Sequence, residues 1–195
     1  MATATALKAP HLQPSDWIRA GIARLASDGI ESVRVELLAR DLRVSKGSFY
    51  WHFRDREDLL SKILGHWETC ERDRLEPSGR TAASRWAWFV EQNSTEERVR
   101  LELAVRAWAR KDEKVADCVA AADREKTRFI ADVLREIGFE NAASESWAEL
   151  VLLVWLGWLD RASRIANSES MRSSLGDLLS LVILAASGNP APPIS

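Results

Sequence analysis

The sequence has little of what disulfide frameworks, metal sites and membrane segments require. Its 195 residues include two cysteines, Cys70 and Cys118, which give neither a disulfide framework nor a metal-binding spacing and suit a reducing compartment. The first residues contain no apolar stretch of signal-peptide length, and the longest apolar run, 150–159, is about half a membrane-spanning helix. We therefore expect a cytoplasmic protein with no metal, no cofactor and no membrane partner.

Proline is missing from two long stretches of the chain. None of the six prolines lies between Pro14 and Pro77, or between Pro77 and Pro190. Because a proline inside a helix costs about 3 kcal/mol, these stretches can form long helices. They also contain no sustained alternation of apolar and polar residues, which would indicate strands. The sequence predicts an all-α fold.

Apolar residues at helical spacing define the expected elements. The first helix is expected to begin after Pro14 with Ser15 as its N-cap and to end at Gly29. A short helix near 35–42 follows, then a tight turn, a weakly helical segment, and a longer helix with Asp55 as its N-cap. The later helices are expected near residues 82–92, 95–110, 112–137, 142–167 and 171–187.

The weakly helical segment, VSKGSFYWHF (44–53), combines poor helix formers with many hydrogen-bond donors. On a helical wheel Phe49 and Phe53 fall together and should be buried, whereas Trp51 points away from them and should be exposed. The exposed side then offers lysine, serine, tyrosine and histidine, which bind phosphate oxygens and base edges. Two short helices joined by a tight turn form a helix-turn-helix, whose second helix enters the DNA major groove. Periodicity alone leaves a simpler interpretation open, an exposed polar face that binds nothing.

The stretch LLARDLRVSKGSFYWHFRDREDLL (37–60) resembles the DNA-binding domain of the tetracycline-repressor (TetR) family. The matching features are Leu-Ala-x-x-Leu-x-Val-Ser, then Gly-x-x-Tyr-x-His-Phe, then a basic residue and Leu-Leu. The resemblance implies an N-terminal three-helix helix-turn-helix domain and a C-terminal helical-bundle domain for regulation and dimerisation. The expected divisions are a disordered arm (1–14), the DNA-binding domain (15–66, with the linking helix at about 55–75), the ligand-binding and dimerisation domain (67–187) and a disordered tail (188–195).

The same resemblance implies a homodimeric transcription regulator, commonly a repressor, that binds a palindromic operator and is released by a small molecule. Carried over position by position, it implies DNA contacts from Arg34, Val35, Lys46, Gly47, Ser48, Tyr50, His52 and Arg56. Ser45 joins them as the expected N-cap of the recognition helix, because a helix N-terminus favours a phosphate.

Three residues depart from the family pattern. Arg34 stands where a threonine often caps the second helix, and because arginine cannot cap, Ser32 is the nearest substitute. Arg43 stands where glycine is usual, at a cost of about 1 kcal/mol if its backbone is left-handed. Glu36 stands where a basic or small residue is commoner, and a carboxylate near phosphates is unfavourable unless it accepts a hydrogen bond from cytosine N4.

The C-terminal part is rich in tryptophan, with six of the nine lying beyond the linking helix. Indole rings suit a pocket for an aromatic or lipophilic effector, although any one of them can simply fill a core. The residues expected to line such a pocket are Trp86, Trp108, Cys118, Phe129 and Trp155.

The last two predicted helices, which contain ELVLLVWLGWLDRA (149–162) and SLGDLLSLVILAAS (174–187), are apolar almost all round. A helix of this kind needs cover on both sides, which a second subunit would supply. The residues expected at a dimer interface are Leu153, Leu156, Gly157, Leu178, Leu181 and Val182.

The sequence shows no constellation typical of an enzyme. It contains no glycine-rich phosphate loop, no His-Glu-x-x-His and no Gly-x-Ser-x-Gly, so we expect no catalytic residues. Two alternatives to an effector-responsive regulator remain open. The chain could be a helical protein-interaction adaptor, or a transcription regulator that has no effector pocket.

Overall fold

The structure, a computed structural model, describes residues 12–75, 81–162 and Asp177. Every regular element within these residues is helical, which confirms the all-α prediction. The elements are α1 (Pro14–Asp28), a single 3-10 turn (Ile30–Ser32), α2 (Val35–Asp41), α3 (Lys46–Tyr50), α4 (Arg56–Leu75), α5 (Ala82–Asn93), α6 (Glu96–Ala109), α7 (Glu113–Glu136) and α8 (Asn141–Ala162). The chain divides between His66 and Trp67 into two compact units.

Helix α1 begins earlier than its sequence predicted. Its N-cap is Gln13 rather than Ser15, and Pro14 occupies the first turn. Proline fits there because its fixed φ is helical and its missing N–H would have no partner. The Asp16 carboxylate then accepts a hydrogen bond from the Gln13 N–H at 2.8 Å. The helix ends at Gly29, as expected, and this glycine has a φ of 76°.

The core of the N-terminal unit is built on α1 and α4. Trp17 and Leu25 of α1 are fully buried, and Gly21 lies between them on the same face. A Cβ at Gly21 would lie 2.5 Å from Cδ1 of Ile63, so a larger residue here would require the end of the Ile63 side chain on α4 to move. The Phe49 ring packs edge-on against Trp17, with the ring centroids 5.3 Å apart. This contact fixes α3 on the core.

Helices α2 and α3 are joined by a tight turn. Arg43 has a φ of 56°, so this non-glycine residue adopts a left-handed conformation. This is the case in which arginine was expected to be less stable than glycine. The Val44 N–H returns to the Ala39 carbonyl at 2.9 Å and closes the end of α2. The side chain of Asp41 is held by Arg24 of α1, with Nε and Nη2 at 2.6 and 2.9 Å from its oxygens.

Helix α4 starts where the sequence placed its cap. The Asp55 carboxylate accepts a hydrogen bond from the Asp58 N–H at 2.8 Å, which confirms Asp55 as the capping residue. The helix then continues for 20 residues.

The C-terminal unit is built around α7, which packs most extensively against α8 and also against α6 and α5. Threonine or aspartate side chains cap three of its helices, Thr81 for α5, Thr95 for α6 and Asp112 for α7. These helices lie within two residues of the expected bounds. Several predicted segments lie outside the described residues. They are the helix 171–187 apart from Asp177, the part of 142–167 beyond Ala162, and the disordered ends before residue 12 and after 187.

Within the described ranges, no helix combines the length and the apolar character needed to cross a membrane.

Candidate functional site

Helix α3 and the turn that follows it present one buried and one exposed face. Phe49 and Phe53 are buried, with their rings stacked at 5.2 Å, whereas Tyr50 is 62% and Trp51 is 87% exposed. The helical turn continues beyond Tyr50, because the Phe53 N–H still donates to the Phe49 carbonyl at 3.0 Å. Both wheel predictions, the buried phenylalanine pair and the exposed Trp51, are therefore confirmed.

Lys46 lies at the exposed start of α3 and is already paired. Its Nζ lies 2.8 Å from Oε1 of Glu36 on α2, and both side chains are more than half exposed. The hydrogen bond from Lys46 is the main reason why the pKa of Glu36 lies below its ordinary value. Lys46 and Glu36, which were considered separately in the sequence, therefore form one ion pair that joins α3 to α2.

The remaining predicted contacts on α3 differ in exposure. Gly47 is exposed, while Ser48 and His52 are half-buried on the flank of the phenylalanine pair. Ser45 occupies the N-cap position with an extended backbone, but its hydroxyl makes no capping hydrogen bond within the described residues. The first N–H groups of α3 thus lack the side-chain cap that the sequence suggested.

At the start of α2, the two predicted contacts are placed differently. Arg34 is exposed, and its Nε donates to the Glu31 carbonyl at 2.9 Å. Val35 is only 9% exposed, so its side chain belongs to the core and only its backbone can face a ligand.

Arg56, at the start of α4, makes hydrogen bonds inside the N-terminal unit. Its Nε donates to the Val33 carbonyl at 2.7 Å and its Nη2 to the Ile30 carbonyl at 2.9 Å. Its Nη1 lies 2.9 Å from the carboxylate of Glu57. The guanidinium therefore fastens α4 to the segment that leads into α2, a role that the sequence did not indicate.

Three of the five candidate pocket residues are brought together in the C-terminal unit. Trp86, Phe129 and Trp155 are buried around Phe89, with ring centroids 5.6, 5.4 and 6.2 Å from the Phe89 ring. We call these four residues the aromatic cluster. Phe89 was missed by the sequence analysis, although its position three residues after Trp86 was a helical-spacing signal.

The other two candidates lie apart from the aromatic cluster. Trp108 is buried near the end of α6, and Cys118 is half-buried on α7. Burial, helped by a hydrogen bond with Glu68, raises the pKa of the Cys118 thiol to about 11. The thiol is therefore protonated at neutral pH.

A second buried feature, which we call the ionic cluster, lies in the same unit. It joins α4, α6 and α7 through the fully or almost fully buried side chains Glu71, Arg98, Glu102 and Lys126, with Arg106 and Asp123 at its edge. Lys126 Nζ lies 2.8 Å from Glu71 and 3.2 Å from Glu102. Burial alone would raise the pKa of Glu102, but the surrounding Lys126, Arg98 and Arg106 outweigh it and hold that pKa far below its ordinary value.

The exposed side of α8 carries the first group of predicted interface residues. Leu153 is 62% exposed, Gly157 is exposed, and Leu156 is half-buried. A Cβ at Gly157 would meet nothing within 4 Å. The other three predicted interface residues, Leu178, Leu181 and Val182, lie outside the described residues.

The N-terminal unit has the architecture of a DNA-binding protein. A short helix with exposed donors is held over a buried aromatic pair and joined to α2 by a tight turn, which is a helix-turn-helix. Residues 18–63 match the model of the family described as bacterial regulatory proteins, tetR family. Residues 18–63 are thus similar to the DNA-binding domain of the TetR family, and the resemblance seen in the sequence is confirmed.

Solved structures extend the similarity of fold to the C-terminal unit. A transcriptional regulator from Rhodococcus sp. Rha1 has 20% identity and a TM-score of 0.72, with 93% of this chain and all of that chain covered. A TetR-family transcriptional regulator from Streptomyces coelicolor has 14% identity and a TM-score of 0.73, with 89% and 95% covered.

A transcriptional regulator from Saccharomonospora viridis, in complex with choline, has 20% identity and a TM-score of 0.69, with 86% of this chain and 95% of that chain covered. At these identities the similarity establishes the fold. No protein with curated function matches the chain in sequence.

Proposed function

We propose that this protein is a homodimeric transcription regulator of the cytoplasm that represses its target by binding a palindromic operator. The N-terminal unit is the DNA-binding domain, and the C-terminal unit binds a small effector and a second subunit. The observation that carries the proposal is the exposed donor face of α3, which includes Tyr50 at 62% exposure, above the buried phenylalanine pair. Two such helices about 34 Å apart would read two half-sites on one face of DNA.

The exposed residues divide by the chemistry of their side chains. Lys46 and Tyr50 are exposed donors and are suited to phosphate oxygens. Ser48 and His52, on the half-buried flank, are suited to base edges. Gly47 and the backbone of Val35 let the protein approach the duplex closely, and the uncapped N–H groups beside Ser45 favour a phosphate.

When Lys46 contacts a DNA phosphate, it must break its ion pair with Glu36 or bind both groups at once. The 2.8 Å ion pair is exposed, so exchanging it for a phosphate contact costs little. Arg34 has further N–H groups beside its bond to Glu31, and its charge helps to lower the pKa of Glu36. Arg56 serves first to position α2, and its remaining N–H groups are available to a phosphate.

An effector is proposed to bind beside the aromatic cluster. The rings of Trp86, Phe129 and Trp155 lie 5.4–6.2 Å from the Phe89 ring and offer apolar surface with indole donors. The choline complex of the structure from Saccharomonospora viridis supports the view that this fold accepts small molecules. Effector binding would release DNA if it favours a different spacing of the two recognition helices, for which a difference of a few kcal/mol suffices.

The experiment that tests DNA recognition is selection from random duplex DNA at a stated salt concentration. We expect the wild-type protein to enrich a palindromic sequence and Tyr50→Ala to bind it at least about tenfold more weakly. Lys46→Ala should lose affinity and also lower the slope of log affinity against log salt by about one.

The matched control is Lys62→Ala, which removes the same charge from an exposed position on α4. Its affinity and salt slope should stay close to the wild-type values. Failure to enrich any palindrome would refute the proposed function, and an unchanged salt slope for Lys46→Ala would refute the phosphate contact.

A further inference from the structure

Arg98, on α6, is a buried cation with spare hydrogen-bond donors. Its side chain is 5% exposed, and its Nη2 is bonded to Glu71 and, at 2.6 Å, to Glu102. Its Nε and Nη1 have no hydrogen-bond partner within the part of the chain that the structure describes. A buried donor left without an acceptor is destabilising, and more so when the group is charged, so the unpaired Nε–H and Nη1–H groups call for an explanation.

The charges around Arg98 do not balance. The ionic cluster contains three carboxylates, Glu71, Glu102 and Asp123. The cations of the ionic cluster are Arg98, Lys126 and Arg106. Arg74 lies at its edge, 23% exposed, with Nη1 2.9 Å from Glu71. Together with Arg74, four cations face three carboxylates among the described residues, an excess of one positive charge. A single anion would neutralise it.

The ionic cluster adjoins the aromatic cluster. Lys126 Nζ lies 4.5 Å from the centre of the Trp155 ring while it is bonded to Glu71 and Glu102. Nε1 of Trp86 and of Trp155 are also buried donors without a hydrogen-bond partner among the described residues. A ligand placed here would therefore meet aromatic surface and unpaired N–H groups together.

We propose that Arg98 anchors an anion-binding site, and that the effector is a carboxylate carried on an aromatic or lipophilic body. This inference rests on the proposed function only in taking the ligand to be an effector. A carboxylate brings the missing negative charge and an acceptor oxygen for either the Nε–H or the Nη1–H group of Arg98, each of which shares an edge of the guanidinium with Nη2, while its body packs against the aromatic cluster.

The position of a cationic ligand is already taken by the protein itself. Lys126 occupies the site over the Trp155 ring where a ligand ammonium would lie, and it uses both buried carboxylates. A quaternary ammonium would have to displace a residue that is 1% exposed and leave its charge unpaired. The arrangement therefore favours a carboxylate over a choline-like cation.

The site also has a physical connection to α4. Arg98 binds Glu71, and Glu71 lies on the 20-residue helix that begins at Arg56. A carboxylate bound to Arg98 competes with Glu71 for the guanidinium and weakens its hold on α4. Ligand binding would thereby change the contacts of the helix that continues from the DNA-binding unit.

The test uses three carboxylate probes, indole-3-acetate, benzoate and decanoate, with the matched amides and choline for comparison. Binding to the full chain is measured by calorimetry and by tryptophan fluorescence. We expect at least one carboxylate to bind about tenfold or more tightly than its amide, and choline to bind more weakly than that carboxylate.

The variant Arg98→Gln should lose this preference for the acid. The matched control Arg100→Gln lies on the same helix, pairs with Glu96 and is 61% exposed, so it should keep the preference. Arg98→Lys retains the charge but not the paired N–H geometry. It replaces Arg98→Gln in the test if that variant does not fold. It should bind the acid more weakly than wild type.

Equal binding of acids and amides, tighter binding of choline, or no binding of any carboxylate would overturn the anion site. Operator affinity is measured separately with and without the tightest-binding carboxylate. Binding that leaves operator affinity unchanged would overturn the effector role and retain the site. Failure to enrich a palindrome would instead refute DNA recognition and would not affect the ligand-binding result.

Discussion

Arg43 holds the turn of the helix-turn-helix in a conformation that glycine adopts at lower cost. Its φ of 56° brings the Cβ close to the backbone, which destabilises an L-residue by about 1 kcal/mol. We expect Arg43→Gly to stabilise the protein against chemical unfolding by up to about 1 kcal/mol, since the extra chain entropy of unfolded glycine offsets part of the gain.

The control for Arg43→Gly is Arg43→Ala, which removes the charge but keeps the Cβ. The free energy of unfolding of Arg43→Ala should stay within about 0.5 kcal/mol of the wild-type value, as for most exposed positions. If alanine stabilises as much as glycine does, repulsion between charges and not backbone strain is the cause.

Some residue positions followed from the sequence and others did not. The burial of Phe49 and Phe53 and the exposure of Trp51 depend only on the helical repeat, which the sequence displays directly. The pairing of Lys46 with Glu36 depends on where two flexible side chains of different helices meet. Helical periodicity within one segment does not contain that information.

At the scale of elements, α4 is fastened to the helix-turn-helix by one side chain. Arg56 donates to the carbonyls of Ile30, the first residue of the 3-10 turn, and of Val33, which follows that turn and precedes α2. We expect Arg56→Met to destabilise the N-terminal unit by about 1–2 kcal/mol, because the partly buried carbonyls of Val33 and Ile30 lose a charged hydrogen-bond donor. Chemical denaturation followed by circular dichroism measures the change.

DNA binding separates this positioning role of Arg56 from a phosphate contact. If Arg56 acts by holding α2, Arg56→Met weakens operator binding without changing its salt slope. A slope that falls by about one would show that Arg56 also meets a phosphate. Arg54→Met is the matched control, since Arg54 is 85% exposed and its approach to Asp58 is loose at 3.8 Å, so its stability should change little.

Helix ends were predictable where a side chain caps them and uncertain elsewhere. Asp55 was found because an aspartate before a periodic apolar run is a strong start signal. The start of α1 was misplaced because Ser15 is a better cap by residue type than Gln13, yet Pro14 fits the first turn and Asp16 satisfies the Gln13 N–H. The preference of serine for the N-cap position was therefore outweighed by the contributions of Pro14 and Asp16 to the first turn.

At the scale of the whole molecule, the ionic cluster could not be predicted from the sequence. Glu71 and Lys126 belong to α4 and α7 and are brought together only by the packing of the C-terminal unit. In sequence each resembles the many charged residues of a solvated helix face. The aromatic cluster was easier to anticipate, because large apolar rings at helical spacing are expected to be buried wherever their helices pack.

Helix α8 has one apolar stripe inside its own bundle and a second one on the surface. Val151, Trp155 and Leu159 are buried, whereas Leu150 and Val154 are each 51% exposed beside the more exposed Leu153. With the exposed Gly157 these residues recur at the helical spacing i, i+3, i+4 and i+7, which makes a continuous face. A second copy of the chain, related by a two-fold axis, would cover it with the same face.

This arrangement predicts that Leu153→Asp weakens dimerisation. A carboxylate in the middle of the apolar face loses its hydration when the subunits associate. We expect the dimer dissociation constant, measured by sedimentation equilibrium, to rise at least about tenfold, with a parallel loss of operator affinity at low protein concentration. Ala120→Asp, at an exposed position of α7, introduces the same charge as a control and should leave the dissociation constant and the operator affinity unchanged.

A wild-type chain that is monomeric at all concentrations would contradict the two-fold interface. It would favour a protein-interaction adaptor, in which the exposed stripe of α8 binds a different chain.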